Sequence, residues 1–317
     1  MKSESSRKQR SRETSRGRSS FSTSALKPAS KLPSSLTLAD GRAIEFPAVM
    51  GVLNVTPDSF SDGGRYLDPG RAVEHALAME AAGADVIDVG GESTRPVGAR
   101  EVPAAEELSR VTPVLARLGR ELHVPISIDT RRAAVARVAL DAGASIINDI
   151  SALEHDSAMA PLVTRAKCAV VLMHMRGGAT DHVRYARYRD VAAEVAAYLA
   201  ERARFAAAAG IDESRIILDP GLGFAKNAAH NLKLIAALPQ LCALGYPVLV
   251  GASRKTFVAK IAGAGERELE FGSAAVNAIA IANGASMVRV HDVGAALAAV
   301  RMASRLTGRD GRFTREA

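Results

Sequence analysis

The stretch VPISIDTRRAAVARVALDAGASIINDI, residues 124–150, contains the repeating unit that decides the fold. It runs from an apolar strand pattern at 125–129, through an Ala-rich helical pattern at 131–142, to a second strand pattern at 145–150. Gly143 stands where the helix should end, because glycine readily takes the left-handed conformation of a helix C-terminal cap. Strands that are apolar on both faces and alternate with helices predict a parallel sheet covered by helices.

The same unit recurs on both sides of this stretch. Further strand patterns lie at 49–55, 85–90, 169–175, 216–219, 247–252 and 287–291, and further helical patterns at 70–82, 103–120, 157–166, 190–209, 228–237, 271–283 and 293–306. Gly83, Gly210 and Gly284 follow helical patterns in the way that Gly143 does. Eight strand–helix units predict an α/β protein of the (β/α)8 TIM barrel class, and residues 49–306 match the usual size of that barrel.

The ends of the chain differ from this pattern. Residues 1–31 hold nine Lys and Arg, two Glu and ten Ser, with few large apolar side chains. Such a segment cannot bury enough surface to offset the entropy lost on ordering. We therefore expect a disordered, basic, Ser- and Arg-rich extension over 1–36, a barrel domain over 37–310 and a C-terminal tail over 311–317.

The charge distribution excludes several classes of partner. The chain has 41 Lys and Arg against 34 Asp and Glu, a net charge of +7, and the first 31 residues account for all of it. The rest is neutral, which argues against a nucleic-acid-binding fold. We expect no membrane partner either, since long apolar stretches are lacking.

Cys168 and Cys242 stand alone in apolar surroundings, so we expect buried thiols and a cytoplasmic protein, with organelle import through the N-terminal extension as the alternative.

Polar residues follow the predicted strands at the positions where barrel enzymes carry their active sites. These residues are Asn54, Asp88, Asp129, Asn148, His174, Asp219, Lys255, Arg289 and His291. Phe60 lies in the loop NVTPDSFSDGG, residues 54–64, which is otherwise polar and rich in Pro, Asp, Ser and Gly. An aromatic side chain in such a loop indicates either a lid over a ligand or packing on the barrel rim.

Eight segments at and after the predicted strands together resemble the dihydropteroate synthase family of pterin-binding barrels. They are NVTPDSFSDGG (54–64), DVGGESTRP (88–96), IDT (128–130), IINDI (146–150), MHM (173–175), DPGLGF (219–224), SRK (253–255) and RVHDV (289–293). The resemblance implies a transferase that condenses 6-hydroxymethyl-7,8-dihydropterin pyrophosphate with 4-aminobenzoate in folate biosynthesis. Two alternatives stay open, a non-catalytic pterin-binding paralogue and a corrinoid-dependent methyltetrahydrofolate methyltransferase.

The resemblance also implies roles for individual residues. Asp129, Asn148, Asp219 and Lys255 match pterin-binding positions. Asn54 matches the position of a magnesium ligand, and Asn54, Thr94, Arg289 and His291 match pyrophosphate-binding positions. The aminobenzoate pocket would be formed by Phe60, Thr94, Arg95, Pro96, Phe224, Lys255 and Thr256. The catalytic set is then Asn54, Thr94, Arg95, Lys255, Arg289 and His291, with Mg²⁺ as cofactor and a homodimer as the expected assembly.

Two segments depart from the family pattern. Phe224 is followed by AKN, residues 225–227, where the family usually has GKT, so Ala225 and Asn227 alter the rim of the expected pocket. Residues 176–189 lack the Pro- and Gln-containing segment that is usual after the strand at 169–175.

Overall fold

The computed structural model describes residues 33–56, 68–92, 102–178, 182–309 and 313. Its strands are β1 Ser35–Thr37, β2 Ala43–Glu45, β3 Ala48–Asn54, β4 Val86–Gly90, β5 Ile126–Asp129, β6 Ile146–Asp149, β7 Ala169–Met173, β8 Ile216–Asp219, β9 Leu249–Val250 and β10 Met287–Val290. Strands β3 to β10 form one parallel sheet in the order β8-β7-β6-β5-β4-β3-β10-β9. A parallel bridge between Leu218 and Val248 links its two ends. The predicted (β/α)8 barrel is confirmed.

Helices cover the outside of this barrel. They are α1 Pro69–Ala81, α2 Ala104–Glu121, α3 Ala133–Asp141, α4 Met159–Ala166, α5 Val191–Ala208, α6 Ala228–Ala236, α7 Leu238–Cys242, α8 Thr256–Ala262, α9 Glu266–Ala282 and α10 Val293–Thr307, with 3₁₀ turns at His182–Tyr185 and Glu213–Arg215. Gly83, Gly143, Gly210 and Gly284 all have positive φ, between 92° and 106°, which confirms the predicted helix ends. None of the helices in the described part of the chain is both long and apolar enough to span a bilayer.

Residues of most barrel strands alternate between two hydrophobic cores. Val49 and Leu53 of β3 belong to the larger core between strands and helices, whereas Met50 belongs to a second core with Ile146 and Met287. This alternation follows from the opposite directions of successive side chains on a strand. The second core fills the barrel interior and leaves the carboxyl ends of the strands for polar residues.

A two-stranded hairpin at the start of the described chain corrects the predicted domain boundary. β1 and β2 pair antiparallel, with Leu36 opposite Ile44. Leu36, Leu38, Ile44 and Phe46 are buried and belong to the barrel's inner core. The boundary between 36 and 37 was therefore wrong, because it cuts a strand whose side chains complete that core. The short apolar segments of the hairpin lack the length of a barrel strand, and the sequence pattern missed them.

Two further predictions need correction, and two short helices were not predicted. The predicted tail over 311–317 includes Phe313, which is buried in the larger core, and the Phe313 carbonyl accepts a 2.6 Å hydrogen bond from Arg305 Nη2. The short helices α7 and α8 were not predicted, because five to seven residues are too few to show a helical period. Helix α9 begins at Glu266 rather than at 271.

The hairpin generates a stability prediction. Leu36→Ala should lower the free energy of unfolding by about 2–4 kcal/mol, because it removes buried methyl groups from a closely packed core. Thr37→Ala, at an exposed neighbour on the same strand, should change it by less than about 0.5 kcal/mol. Urea denaturation followed by circular dichroism compares the two variants. Equal effects would show that the hairpin does not contribute to the barrel core.

Candidate active site

The sheet register brings the predicted residues together at one end of the barrel. Asn54 on β3 lies opposite Gly90 on β4, Gly90 lies opposite Asp129 on β5, and Asp129 lies opposite Asn148 on β6. Three side chains predicted to bind substrate thus share one level at the carboxyl ends of adjacent strands. Asp219 ends β8 opposite Met173 of β7, farther round the same rim.

A largely buried ion pair joins the two strands that flank β3 at this end of the barrel. Arg289 on β10 donates from Nε to Asp88 Oδ2 at 2.6 Å and from Nη2 to Asp129 Oδ2 at 2.8 Å. Asp88 Oδ2 also accepts a hydrogen bond from Asn148 Nδ2 at 3.0 Å. One fully buried carboxylate therefore orients two of the predicted substrate-binding side chains. Nη1 of Arg289 has no hydrogen-bond partner among the described residues and stays available to a ligand.

The sequence predicted Asp88 only as a polar residue at a strand end and did not predict its contacts with Arg289 and Asn148. Its carboxylate is completely buried, and its Oδ1 atom has no partner among the described residues. An aspartate inside the apolar strand VIDVG is the signal that could have indicated this role, because a buried carboxylate needs a cationic or hydrogen-bonding partner.

Burial changes the proton affinity of the neighbouring carboxylate. The loss of hydration, opposed by Arg289 and reinforced by the nearby Asp88 carboxylate, raises the pKa of Asp129 to about 7. Desolvation disfavours the charged form of an acid, and a second carboxylate adds to that effect. Hydrogen-bond donors from a ligand would therefore stabilise the ionised form of Asp129.

Asp219 and Lys255 form the second polar group of the site. Asp219 is buried and accepts a hydrogen bond from the Gly221 amide at 2.7 Å. Burial raises the pKa of Asp219, and the Lys255 ammonium opposes this shift. Burial also lowers the pKa of Lys255 to about 8, against the attraction of Asp219. Lys255 donates to the Leu222 carbonyl, and its Nζ lies 4.8 Å from the centre of the Phe224 ring.

His291 and Thr256 occupy two other parts of the rim. His291 directly follows β10, where its amide donates to Ser253 Oγ at 3.2 Å and its Nδ1 lies 3.1 Å from the same oxygen. Thr256 is exposed and begins α8 next to Lys255. Arg289 lies on β10 and His291 directly follows it, so both residues lie on the same side of the barrel mouth.

Four predicted residues cannot be placed: Phe60, Thr94, Arg95 and Pro96 lie outside the described residues. The chain on either side of 93–101 is nevertheless tied together by a buried ionic group. Glu92 accepts a hydrogen bond from the Val102 amide at 3.0 Å and from Arg132 Nη1 at 2.9 Å. Arg132 also donates to the fully buried Glu107 at 2.6 Å. This group was not predicted, because its members come from three separate elements.

Comparison with known proteins identifies the class that this fold and site define. The family described as pterin binding enzyme matches residues 50–291. The dihydropteroate synthase of Mycobacterium leprae is 50% identical over 261 residues, which cover 80% of this chain and 91% of that protein. The chain therefore belongs to the dihydropteroate synthase family of pterin-binding enzymes.

Solved structures agree with this assignment. A Xanthomonas albilineans dihydropteroate synthase with 4-aminobenzoic acid has a TM-score of 0.80 and 44% identity, over 86% of this chain and 98% of that chain. A structure from the same organism in complex with 7,8-dihydropteroate has a TM-score of 0.76 and 41% identity, with the same coverage.

The Asp88–Arg289 pair generates a second prediction. Asp88→Asn should lower the free energy of unfolding by about 3 kcal/mol, because it leaves the largely buried Arg289 with one carboxylate fewer. Adding Arg289→Met should recover part of this loss, with a coupling energy of about 1–3 kcal/mol in a double-mutant cycle measured by urea denaturation. Asp141→Asn, at an exposed helix end, is the matched control and should be nearly neutral. Additive effects of the Asp88 and Arg289 substitutions would contradict the coupling.

Proposed function

We propose that this chain condenses 6-hydroxymethyl-7,8-dihydropterin pyrophosphate with 4-aminobenzoate and releases 7,8-dihydropteroate and pyrophosphate. The observation that carries the proposal is the group of Asp129, Asn148, Asp219 and Lys255 at the barrel mouth, beside Arg289. The related Xanthomonas albilineans structures contain 4-aminobenzoic acid in one case and 7,8-dihydropteroate in the other. The first is a substrate and the second a product of this reaction.

The carboxylates suit the hydrogen-bonding edge of a pterin. A pterin presents a guanidine-like set of N–H donors, which a carboxylate accepts strongly, and an amide side chain can serve its mixed donors and acceptors. Asp219 Oδ2 has no partner among the described residues, so it is free to accept from the ring. Asn148 is oriented by Asp88, which leaves its carbonyl oxygen for the ligand.

The leaving group belongs on the side of the mouth where β10 ends. Arg289 offers Nη1, and His291 lies two residues farther along the chain. A guanidinium beside a departing pyrophosphate stabilises the negative charge that develops as the C–O bond breaks. The amine nitrogen of 4-aminobenzoate then forms the new C–N bond to the pterin methylene and loses one proton. The chain's residues bind, orient and exclude water in this step, and no nucleophilic side chain is required.

Magnesium is the cofactor that we propose for this side of the site. Asn54 is partly exposed at the end of β3, and its side chain has no hydrogen-bond partner among the described residues. Mg²⁺ prefers oxygen ligands and often takes only one or two from the protein, the rest coming from water and substrate phosphates. The Asn54 carboxamide oxygen fits that pattern. When bound, Mg²⁺ would neutralise part of the pyrophosphate charge.

We propose that 4-aminobenzoate lies above the pterin, between Phe224 and the segments that contain Phe60, Thr94, Arg95 and Pro96. Phe224 and Met175 pack against the buried side chains of Ile150 and Met173, so one wall of that pocket is apolar. Lys255 and the exposed Thr256 would meet the carboxylate end of the substrate. An arylamine enclosed by the Phe224 ring and these two segments is protected from water, which would otherwise attack the pterin methylene.

The proposal predicts a large effect at Asp219. Purified wild-type protein should form dihydropteroate from the two substrates, and Asp219→Asn should lower kcat/KM for the pterin substrate at least thirtyfold. This corresponds to the roughly 2–5 kcal/mol typical of breaking a buried charge-assisted contact, because an NH₂ donor then faces pterin N–H groups. Steady-state kinetics with circular dichroism as a folding check measures the effect.

The control is Asp212→Asn, which makes the same change at an exposed residue. Asp212 lies just before the start of β8, whereas Asp219 lies at its end, so this variant should leave kcat/KM unchanged.

Removing Mg²⁺ with a chelator should abolish product formation, and adding it back should restore the activity. Binding of pterin without product would favour the non-catalytic paralogue. Methyl transfer that requires cobalamin would favour the corrinoid-dependent enzyme.

We also propose a homodimer that forms through α9 and α10. These helices pack against each other and expose large apolar side chains, with exposed fractions of 62% for Phe271, 62% for Met302 and 80% for Leu306. A group of exposed apolar side chains is typical of a protein–protein interface.

The buried thiols of Cys168 and Cys242 suit a protein of the cytoplasm, the compartment that we propose.

Leu306→Glu should convert the dimer to a monomer, because a charge in an apolar interface is costly. Multi-angle light scattering after gel filtration measures the mass of each variant. Leu232→Glu on α6 places the same charge at another exposed leucine and should leave the dimer intact. A wild-type monomer, or a dimer that resists Leu306→Glu, would contradict the proposed interface.

A further inference from the structure

His182 is a buried imidazole that the proposed reaction does not use, and it lies directly against the arylamine wall. It begins the 3₁₀ turn His182–Tyr185, and only 1% of its surface is exposed. Its ring centre lies 5.2 Å from that of Phe224, with the two planes tilted by 49°. Its Nδ1 accepts a hydrogen bond from the Ala225 amide at 3.0 Å. The imidazole thus contacts both the Phe224 ring and the backbone that carries it.

The other contacts of Phe224 explain why this position matters. Lys255 Nζ lies 4.8 Å from the ring centre, and the buried Lys226 Nζ donates to the Phe224 carbonyl at 2.9 Å. Lys226 also donates to the His174 carbonyl at 3.3 Å, which ties this loop to the end of β7. Lys255 and Lys226 therefore restrain two parts of Phe224, and His182 restrains the ring and the following amide.

The hydrogen bond between His182 and Ala225 joins the segment after β7 to the segment after β8. Ala225 is buried with φ of 51°, a left-handed conformation that is unfavourable for alanine. Its amide needs a partner in the protein interior, and Nδ1 of His182 supplies one. The acceptor role of Nδ1 places the imidazole proton on Nε2 in the neutral ring.

We propose that His182 is a positioning residue that sets the width of the arylamine pocket by holding the Phe224 ring in place. The proposal rests on the proposed function, because it concerns the substrate that Phe224 faces. His182 itself touches neither substrate nor reacting atoms. It acts through a tilted ring contact with Phe224 and through a hydrogen bond to the amide that follows Phe224. Without His182, both the ring and the loop could take more than one position.

The test is the kinetics of His182→Ala in the full-length protein. KM for 4-aminobenzoate should rise about tenfold, the typical effect of losing one buried hydrogen bond and one aromatic contact. KM for the pterin substrate and kcat should stay within twofold, because Asp129, Asn148 and Asp219 are unchanged. The preference for 4-aminobenzoate over 4-amino-2-hydroxybenzoate should also fall, since a mobile Phe224 ring excludes a larger substrate less well.

Two other variants separate positioning from general stability. His182→Asn keeps an acceptor close to the position of Nδ1, so it should raise KM for 4-aminobenzoate less than threefold. Tyr185→Ala removes an exposed ring from the same 3₁₀ turn and should leave all constants unchanged. If the alanine variant does not fold, the asparagine variant and the substrate preference still decide the question.

Each result has one meaning. A selective rise in KM for the arylamine, partly restored in His182→Asn, supports the positioning role. Unchanged KM for 4-aminobenzoate, or equal losses for both substrates, overturns it while leaving the proposed function in place. A wild-type protein that makes no dihydropteroate overturns the proposed function, and the positioning role with it.

Discussion

The largely buried ion pair between Asp88 and Arg289 is the interaction on which the rest of the site depends. It joins β4 to β10 on the two sides of β3, and the same carboxylate orients Asn148 on β6. A second contact from Arg289 reaches Asp129 on β5. Four strands are thus linked by charged hydrogen bonds where the hydrophobic core ends. The cost of burying these charges is offset only because each has a partner, which makes their mutual geometry stringent.

Burial at the site disfavours the charged forms of both its acids and its lysine. Asp129 has a pKa raised to about 7, and Lys255 has a pKa lowered to about 8, in both cases mainly because the groups have lost water. A ligand that supplies N–H donors to the acids and negative charge to the cations replaces that water. The polar end of a pterin and a pyrophosphate together have this character. Recognition and leaving-group stabilisation therefore draw on the same network.

The arylamine side is built differently, from an aromatic ring restrained by its neighbours. Phe224 is held by Lys226 at its carbonyl, by Lys255 at one face and by His182 at another contact. Lys255 also interacts with Asp219, so the proposed arylamine pocket meets the proposed pterin site at this one lysine. The hydrogen bond between His182 and the Ala225 amide, by contrast, involves neither Asp129 nor Asp219.

The sequence by itself determined the barrel and the identity of its polar strand ends. Apolar runs, helical periods and terminal glycines are local signals, and a parallel barrel repeats them eight times. Short-range patterns could not reveal the hairpin that contains Leu36, or the burial of Phe313, since both depend on contacts with distant residues. Only the tertiary structure decided which polar residues meet. Asp88 and Arg289 are 201 residues apart and meet because β4 and β10 flank β3 in the sheet. His182 and Ala225 are 43 residues apart and meet because they follow the adjacent strands β7 and β8.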